Sequence, residues 1–358
     1  MPVSDTLDPI TEWITEGIIH RAAAVVLRDG DVAAERYWGA AADGGAIDAD
    51  TLLPFASLTK PALATAVLRL VDRGALALHT TLGAVITDAP AAVRGITVAQ
   101  LLTHSSGFPE HVPGTAALEA RRAPASDYVR ATLDAELLFA PGTRVLYSNA
   151  GFQVLGAIVE RVAGVPIPEL MEREVFAPVG MTRATMRPLA RPGARVARTE
   201  LGARAGDPAT DIYNSPYFRR LARADAGLFA TVRDVAALLE MYRLGGRGVL
   251  REATACDAIT SHTHGIPGRY GPYTWESCDF GWGWEVKNGK VPHPTGPRTS
   301  ARTFGHIGNA GALTFCDPER ALTVVIHVLR DFSDGWAAER PFLTRLANDL
   351  VKQVDDMR

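Results

Sequence analysis

Apolar residues form two kinds of pattern along this chain, and the strand-like pattern lies near its two ends. Ala22–Leu27 and Val32–Trp38 flank the turn Arg28–Asp31, which contains an Asp-Gly pair. Such a pair between two apolar runs is a strong signal for a β-hairpin. Ala312–Cys316 and Leu322–Leu329 flank a second polar turn. The sequence therefore predicts one hairpin near each end of the chain.

The middle of the chain has apolar residues at the spacing of α-helices. From Ser57 to Arg73 they recur every three or four positions, which favours a helix. The same pattern predicts helices over 6–17, Val98–His104, Asn149–Ala163, Ile167–Phe176, Val232–Leu244 and 334–354. The stretches 183–224 and 262–300 have neither pattern, and we expect them to be rich in loops.

Strands at the ends and helices in the middle indicate an α+β fold in which both hairpins join one antiparallel sheet. We expect residues 1–75 and 230–358 to form a discontinuous sheet subdomain flanked by the terminal helices. Residues 76–229 should form a mostly helical subdomain. A chain of 358 residues is long enough for two such closely packed subdomains.

Composition narrows the classes of function. The net charge of −3 leaves no basic footprint, so we expect no nucleic-acid partner. Cys256, Cys278 and Cys316 lack the spacing of a zinc site and are expected to be reduced thiols. No basic segment followed by an apolar run marks a secretion signal, and no apolar run is long enough to span a bilayer. We therefore predict a cytoplasmic protein without a membrane partner.

Ser57-Leu-Thr-Lys60 is the first segment with catalytic chemistry. At the start of a helix, residues i and i+3 lie on one face, so Lys60 can contact the Ser57 hydroxyl. A lysine desolvated there can lose its proton and act as the base that a serine nucleophile needs. The alternative is a capping serine followed by a solvated lysine. Lysine occurs at only 4 positions, which makes a chance match less expected.

Tyr147-Ser-Asn149 is the second such segment, placed where the chain enters a predicted helix. A lysine ammonium beside Tyr147 would favour its phenolate, so that Tyr147 could accept the Ser57 proton and return it to a leaving group. Asn149 offers both a donor and an acceptor. Taken alone, the segment is better explained by a buried Tyr147 and a capping Asn149.

His306-Ile-Gly308 is the third segment, in a glycine-rich strand. Glycines in a strand let a ligand approach the backbone closely. Such a strand can dock an acyl group, and the Asn309 N–H can complete an oxyanion hole with that of Ser57. The alternative is a kinked strand with an ordinary histidine.

Together the three segments resemble those of the serine-active-site family of class C β-lactamases, D-alanyl-D-alanine carboxypeptidases and β-lactamase-like (family VIII) carboxylesterases. Ser57–Lys60 matches the family's S-x-x-K, Tyr147–Asn149 its Y-x-N, and His306–Gly308 stands in the place of its K-T-G. Leu101–Gly107 and Ala226–Asp234 resemble two further family segments. The resemblance covers nearly the whole chain.

The resemblance implies a β-lactamase/transpeptidase-like fold with the active site between the two subdomains. It implies that Ser57 forms an acyl-enzyme and that Lys60 and Tyr147 share the acid and base duties. The backbone amides of Ser57 and Asn309 would hold the oxyanion. The residues expected to contact a small-molecule ester or β-lactam-like substrate are Asn149, His306 and Gly308.

His306 and Ile307 depart from the family's K-T-G segment. A lysine there would supply a fixed charge for a substrate carboxylate, whereas histidine is only partly charged near pH 7 and isoleucine has no hydroxyl. This favours hydrolysis of short-chain esters over β-lactamase or D-alanyl-D-alanine carboxypeptidase activity. The three segments are also compatible with an acyltransferase and with a non-catalytic binding module. Arginines within 183–224 are a second source of the missing charge.

Two further groups of residues carry less weight as site candidates. His262 and His264 lack a clear third ligand for a metal ion, so we expect no metal and no cofactor. The aromatic residues within 262–300 are typical of a core, although Tyr270 or Trp282 could line an acyl pocket.

Overall fold

The computed structural model describes residues 3–190, 193–200, 212–271, 273–330 and 336–356. The strands are β1 (Ala22–Arg28), β2 (Asp31–Trp38), β3 (Leu53–Ala56), β4 (Val145–Leu146), β5 (Leu228–Ala230), β6 (Gly268–Tyr270), β7 (Tyr273–Trp275), β8 (Glu285–Val286), β9 (Phe304–Gly308), β10 (Ala312–Asp317) and β11 (Leu322–His327). The helices are α1 (Asp8–Thr15), α2 (Thr59–Asp72), α3 (Leu82–Val85), α4 (Val98–Leu102), α5 (Thr115–Ala120), α6 (Ala125–Leu133), α7 (Asn149–Ala163), α8 (Ile167–Met171), α9 (Ala177–Val179), α10 (Pro216–Leu221), α11 (Val232–Arg243), α12 (Glu252–Ala258) and α13 (Trp336–Asp356).

A six-stranded antiparallel sheet joins the two ends of the chain, in the order β2-β1-β11-β10-β9-β8. β1 pairs with β11 from Ala23, opposite His327, to Arg28, opposite Leu322. The two predicted hairpins therefore share one sheet, and the predicted α+β class with an antiparallel sheet is confirmed.

Both faces of this sheet are buried at its central strands β10 and β11, whereas the edge strand β2 is mostly exposed or half-buried. In β11, Val324 and Ile326 pack in the same apolar cluster as Ile10 of α1 and Leu350 of α13. Val325, between them, belongs to a separate and larger cluster. Successive strand residues point to opposite faces, so the consecutive apolar residues Val324, Val325 and Ile326 contact two cores in turn.

The larger cluster continues from the sheet into the middle of the chain. It contains Val25 and Val325 from the sheet together with Leu63 of α2 and Phe152 of α7. Since one core spans both predicted subdomains, their boundaries stay a prediction. The same continuity holds α2 and α7, which carry candidate site residues, in fixed positions against the sheet.

Several predicted boundaries are wrong in detail. The helix predicted from Ser57 begins at Thr59, because Ala56 has a left-handed backbone (φ 45°) that turns the chain out of β3. The helix predicted over Ile167–Phe176 is α-helical only to Met171 and continues as a π-helical turn, Glu172–Phe176. The loop-rich stretch 183–224 contains α10, and its residues 191–192 and 201–211 lie outside the described residues.

No single helix in the described ranges is both long and apolar enough to cross a membrane. Asn149–Ala163 and Ile167–Val179, which meet at an angle of 77°, satisfy the length and composition only when they are taken together.

A buried carboxylate ties α2 to the π-helical turn. Glu174 is 2% exposed, and its side chain lies 3.0 Å from Arg69 and 2.8 Å from Arg73, both at the C-terminal end of α2. Burial raises the pKa of Glu174, but hydrogen bonds from Arg73, Arg173 and Arg69 outweigh it and hold the pKa below its usual value. The carboxylate therefore contributes stability as long as it is ionised.

We predict that Glu174→Gln lowers the free energy of unfolding by about 2–3 kcal/mol at pH 7, because it leaves arginines without their buried partner. The lowered pKa makes this contribution complete above the usual carboxyl pKa, and it is lost as the pH falls through the folded-state pKa. Denaturant unfolding at pH 7 and in acid measures it. Glu172→Gln, at an exposed position of the same turn, is the control. An equal difference at both pH values would contradict the prediction.

Candidate active site

Ser57 lies at the turn between β3 and α2. The left-handed backbone of Ala56, φ 45°, costs a non-glycine residue roughly 1–2 kcal/mol, so the surrounding contacts must hold it. Thr59 Oγ1 donates to the Ala56 carbonyl at 2.6 Å and accepts from the Leu228 N–H at 2.9 Å. These bonds anchor the turn to β5, and the Ser57 side chain borders a cavity.

Lys60 is fully buried beside Ser57. Its Nζ donates to Ser57 Oγ at 3.1 Å, to Asn149 Oδ1 at 2.7 Å and to the Asp225 carbonyl at 3.0 Å. Burial lowers the pKa of Lys60 to about 7, although the Asp225 carboxylate opposes the shift. At neutral pH such a lysine exists both as ammonium and as neutral amine, so it can accept a proton from Ser57.

His104 positions the Tyr147 segment. Its backbone is left-handed (φ 56°), its carbonyl accepts from the Leu146 N–H at 2.9 Å, and its Nδ1 accepts from the Ser148 N–H at 3.0 Å. Ser148, and not Asn149, caps α7, because Ser148 Oγ accepts from the Gly151 N–H at 2.9 Å. The Asn149 side chain is therefore available to Lys60.

Tyr147 is buried between the site's charged and aromatic groups. Its ring centroid lies 4.7 Å from Lys60 Nζ and 4.6 Å from the Tyr270 ring. Burial raises the pKa of Tyr147 well above its usual value, and the interaction with Ser57 opposes this only in part. The raised pKa keeps Tyr147 as the phenol near neutral pH, which opposes the phenolate that a neighbouring ammonium would favour. Within the described part of the chain, no group meets the geometry of a hydrogen bond to the buried Tyr147 hydroxyl.

His306 is buried on β9. Its ring centroid lies 5.8 Å from that of Tyr147 and 6.2 Å from that of Tyr270, and its Nδ1 lies 2.8 Å from the Ile307 carbonyl. Burial and the nearby Lys60 lower the pKa of His306 to about 3. The expectation of a partial charge near pH 7 is therefore wrong, and His306 is neutral.

Gly308 allows β9 to approach the segment that leads into Ser57. A Cβ at Gly308 would lie 2.5 Å from the Phe55 carbonyl oxygen. The glycine therefore makes room for protein backbone, which is a different reason from the ligand approach that we expected. Asn309 follows it, and both Asn309 and Ser57 line one cavity.

The cavity has a volume of about 790 Å³. The apolar and aromatic residues that line it include Val112, Ile212, Tyr213, Phe218 and Ile307. Tyr270 lines it, which was the alternative to a core position, whereas Trp282 stacks on His262 with ring centroids 3.6 Å apart. The 183–224 stretch contributes Arg223, whose charge is paired with Asp225 at 2.9 Å.

Sequence reasoning missed two charged features of the cavity. Arg269 on β6 lies at its edge, with its guanidinium 3.8 Å from Glu110. Asp225 lines it and contacts Lys60 through its backbone carbonyl. Neither belongs to a short motif, so the only available signal was the position of Asp225 directly before the family-like segment Ala226–Asp234.

The two candidate metal-binding histidines have separate partners. His262 Nε2 lies 2.9 Å from the Asp257 carbonyl, and His264 Nδ1 lies 3.2 Å from the Asp279 carboxylate. Among the residues that the structure describes, no three His, Cys, Asp or Glu side chains form a group that could hold a metal ion.

Comparison with known proteins identifies one family for nearly the whole chain. A family model described as Beta-lactamase matches residues 10–349. A relative from Escherichia coli O157:H7, named "Putative D-alanyl-D-alanine carboxypeptidase", is 26% identical over 90% of this chain and 82% of its own length. A solved β-lactamase from Mycobacterium bovis is 26% identical, covers 98% of this chain and 99% of its own, and has a TM-score of 0.69.

A further solved structure, EstCE1, is titled a hydrolase with promiscuous acyltransferase activity. It has a TM-score of 0.78 and 22% identity, over 97% of this chain and 98% of its own. At this identity the likeness concerns the fold, and it confirms the predicted β-lactamase/transpeptidase-like architecture.

We predict that Gly308→Ala destabilises the fold by about 1–3 kcal/mol, the usual cost of overpacking, because β9 must move away from Phe55. The measurement is the midpoint of denaturant unfolding. Gly95→Ala is the control, since a Cβ there meets nothing within 4 Å. Equal midpoints for the two variants would show that Gly308 is not needed for this approach.

Proposed function

The chain belongs to the β-lactamase family of serine hydrolases, and within it we propose an esterase that cleaves short-chain carboxylic esters through an acyl-enzyme on Ser57. The observation that carries this proposal is the buried, neutral His306 on β9, where relatives with the K-T-G segment have a lysine. Without a fixed cation at that position, the site has less affinity for the carboxylate of a penicillin or of a peptide C-terminus.

In the proposed acylation step, neutral Lys60 accepts the Ser57 proton while Ser57 Oγ attacks the ester carbonyl. The Ser57 and Asn309 amides hold the resulting oxyanion. As the C–O bond breaks, Tyr147 donates its phenolic proton to the leaving alkoxide and recovers one from the Lys60 ammonium. Water then attacks the acyl-enzyme, loses its proton through the same groups and releases the acid, and Ser57 is reprotonated.

The shifted pKa values of Lys60 and Tyr147 support the assignment of Lys60 as base and Tyr147 as acid. Lys60, with a pKa of about 7, is suited to take and return a proton near neutrality. Tyr147, with its raised pKa, is suited to donate one. Asn149 positions Lys60 by accepting its hydrogen bond at 2.7 Å. The apolar residues that line the cavity suit an uncharged acyl chain.

A D-alanyl-D-alanine carboxypeptidase is the second candidate, because Arg269 at the cavity edge is a cation that could face a substrate carboxylate. The relative from Escherichia coli carries that name. β-Lactamase activity and acyl transfer to an alcohol use the same acyl-enzyme and differ only in the donor or the acceptor.

We predict that the wild-type protein cleaves 4-nitrophenyl butyrate much faster than nitrocefin and that Ser57→Ala abolishes both reactions, because no acyl-enzyme can form. Parallel rate assays on the two substrates measure this. Ser4→Ala, near the N-terminus, is the control for serine removal. Dominant nitrocefin turnover would refute the ester preference. No activity on either substrate, with no labelling of Ser57 by a fluorophosphonate, would favour a non-catalytic binding module.

The lowered pKa of Lys60 predicts a pH dependence. Because the ammonium cannot accept a proton, kcat/KM for ester hydrolysis should fall about tenfold per pH unit below a midpoint near 7 and level off above it. Lys60→Arg stays charged throughout and should lose at least about 100-fold in kcat/KM. The measurement is kcat/KM from pH 5.5 to 9. A profile that is flat through pH 7 would remove Lys60 from the role of base.

A further inference from the structure

A cluster of polar side chains lies beside Lys60, and the mechanism above does not use it. We call it the Asp225 network, and its members are Glu119, Gln153, Arg223 and Asp225. Asp225 is 2% exposed and Arg223 11% exposed, so both charges are largely withdrawn from water. Burying an ion pair seldom increases stability over apolar side chains of the same volume, so its presence next to a catalytic group requires another reason.

The network is tightly bonded. Arg223 donates two hydrogen bonds to Asp225, from Nε to Oδ1 at 3.0 Å and from Nη2 to Oδ2 at 2.9 Å. The Gln153 side-chain amide also donates to Asp225 Oδ1. On its other side, the Arg223 guanidinium lies 3.6 Å from Glu119 and 5.1 Å from the Tyr128 ring centroid. Neither Arg223 nor Asp225 can move without breaking several contacts.

The Asp225 network acts on Lys60 through one hydrogen bond and through its charges. The Asp225 carbonyl accepts a hydrogen bond from Lys60 Nζ at 3.0 Å, so the carboxylate that Arg223 clamps belongs to the residue that holds the lysine. Its charges also act on Lys60 in opposite directions, since the Asp225 carboxylate favours the ammonium and the Arg223 guanidinium favours the neutral amine.

The other titratable groups that face Lys60 have less influence on its protonation than Arg223 and Asp225. Burial lowers the pKa values of His104 and His306 and raises that of Tyr147, so all three are uncharged at neutral pH. Glu110 acts on Lys60 in the same direction as Asp225, but more weakly.

We propose that Arg223 and Asp225 are positioning residues for the hydrolysis, a matched pair of opposite charges that holds Lys60 against Ser57 and sets the ratio of its ammonium to its amine form. The proposal rests on the proposed function for the role of Lys60 as base. Asp225 alone would hold Lys60 as the ammonium, and Arg223 alone would drive it towards the amine. The pair together leaves both forms accessible.

Three variants separate this role from a structural one. Arg223→Gln should raise the pH at which Lys60 titrates by about one unit, and Asp225→Asn should lower it by a similar amount, the scale of one nearby charge. The double variant, which removes both charges, should return the midpoint close to that of wild type. Loss of packing alone would not produce opposite shifts that cancel.

The readout is a pH titration by NMR of protein labelled with ¹³C at lysine Cε. The chain has 4 lysines, so the spectrum is simple, and the signal missing in Lys60→Arg assigns Lys60. Arg243→Gln is the matched control, because Arg243 and Glu240 form an ion pair of similar burial, 12% and 4% exposed, elsewhere in the fold. It should leave the Lys60 midpoint unchanged.

Opposite shifts in the single variants and their cancellation in the double variant support the proposal. An unchanged midpoint in all three, or shifts in one direction, would overturn it. If one single variant fails to fold, the other single variant compared with the double variant still decides. Because the titration needs no turnover, its result stands even if ester hydrolysis is absent, and the failure of one proposal is thus distinct from the failure of the other.

Discussion

The buried amine of Lys60 is the interaction on which the rest of this site depends. An ammonium withdrawn from water must have acceptors or lose its proton, and Lys60 has three acceptors, from Ser57, Asn149 and Asp225. These acceptors belong to three segments that are far apart in the chain. The fold must therefore bring the β3–α2 turn, the start of α7 and the segment before β5 to one point within a continuous core.

Desolvation is the largest cause of the pKa shifts of Lys60 and of the rings of His104, Tyr147 and His306 around it. The rings of His104, Tyr147, Tyr270 and His306 contact one another beside the site and are buried. The same burial that lowers the pKa of Lys60 raises that of Tyr147 and makes His306 neutral. A single physical cause therefore shifts an amine and a phenol in opposite directions, each towards its uncharged form.

Local sequence rules predicted those parts of the site that depend on local geometry. The contact between Ser57 and Lys60 follows from a separation of three residues at the start of a helix, and the hairpins follow from turn residues between apolar runs. The raised pKa of Tyr147 was not predicted, because it depends on burial by residues distant in sequence. Arg269 and Asp225 were missed because neither belongs to a short motif, and their place at the cavity depends on contacts between segments distant in sequence. Short strands such as β3 have too few residues to show a period.

Lysine is rare in this chain, and most of its lysines are buried. Arginine supplies 33 of the 37 basic residues, yet Lys60, Lys287 and Lys290 are buried, and only Lys352 is exposed. A compact ammonium with three donors fits where acceptors converge from different directions, whereas a planar guanidinium does not.

Lys287 and Lys290 illustrate the structural version of this fit. Lys287 Nζ donates to the Gly296 carbonyl at 3.0 Å and to Thr299 Oγ1 at 2.9 Å, and Lys290 Nζ donates to the Asp279 carbonyl and to Glu285, both at 3.0 Å. Their acceptors are carbonyl, carboxylate and hydroxyl groups within the loops that they stabilise. Lys60 differs from them because its acceptors include the hydroxyl of Ser57, a residue that lines a cavity, so similar burial gives this amine a partner outside the structural role of the other two.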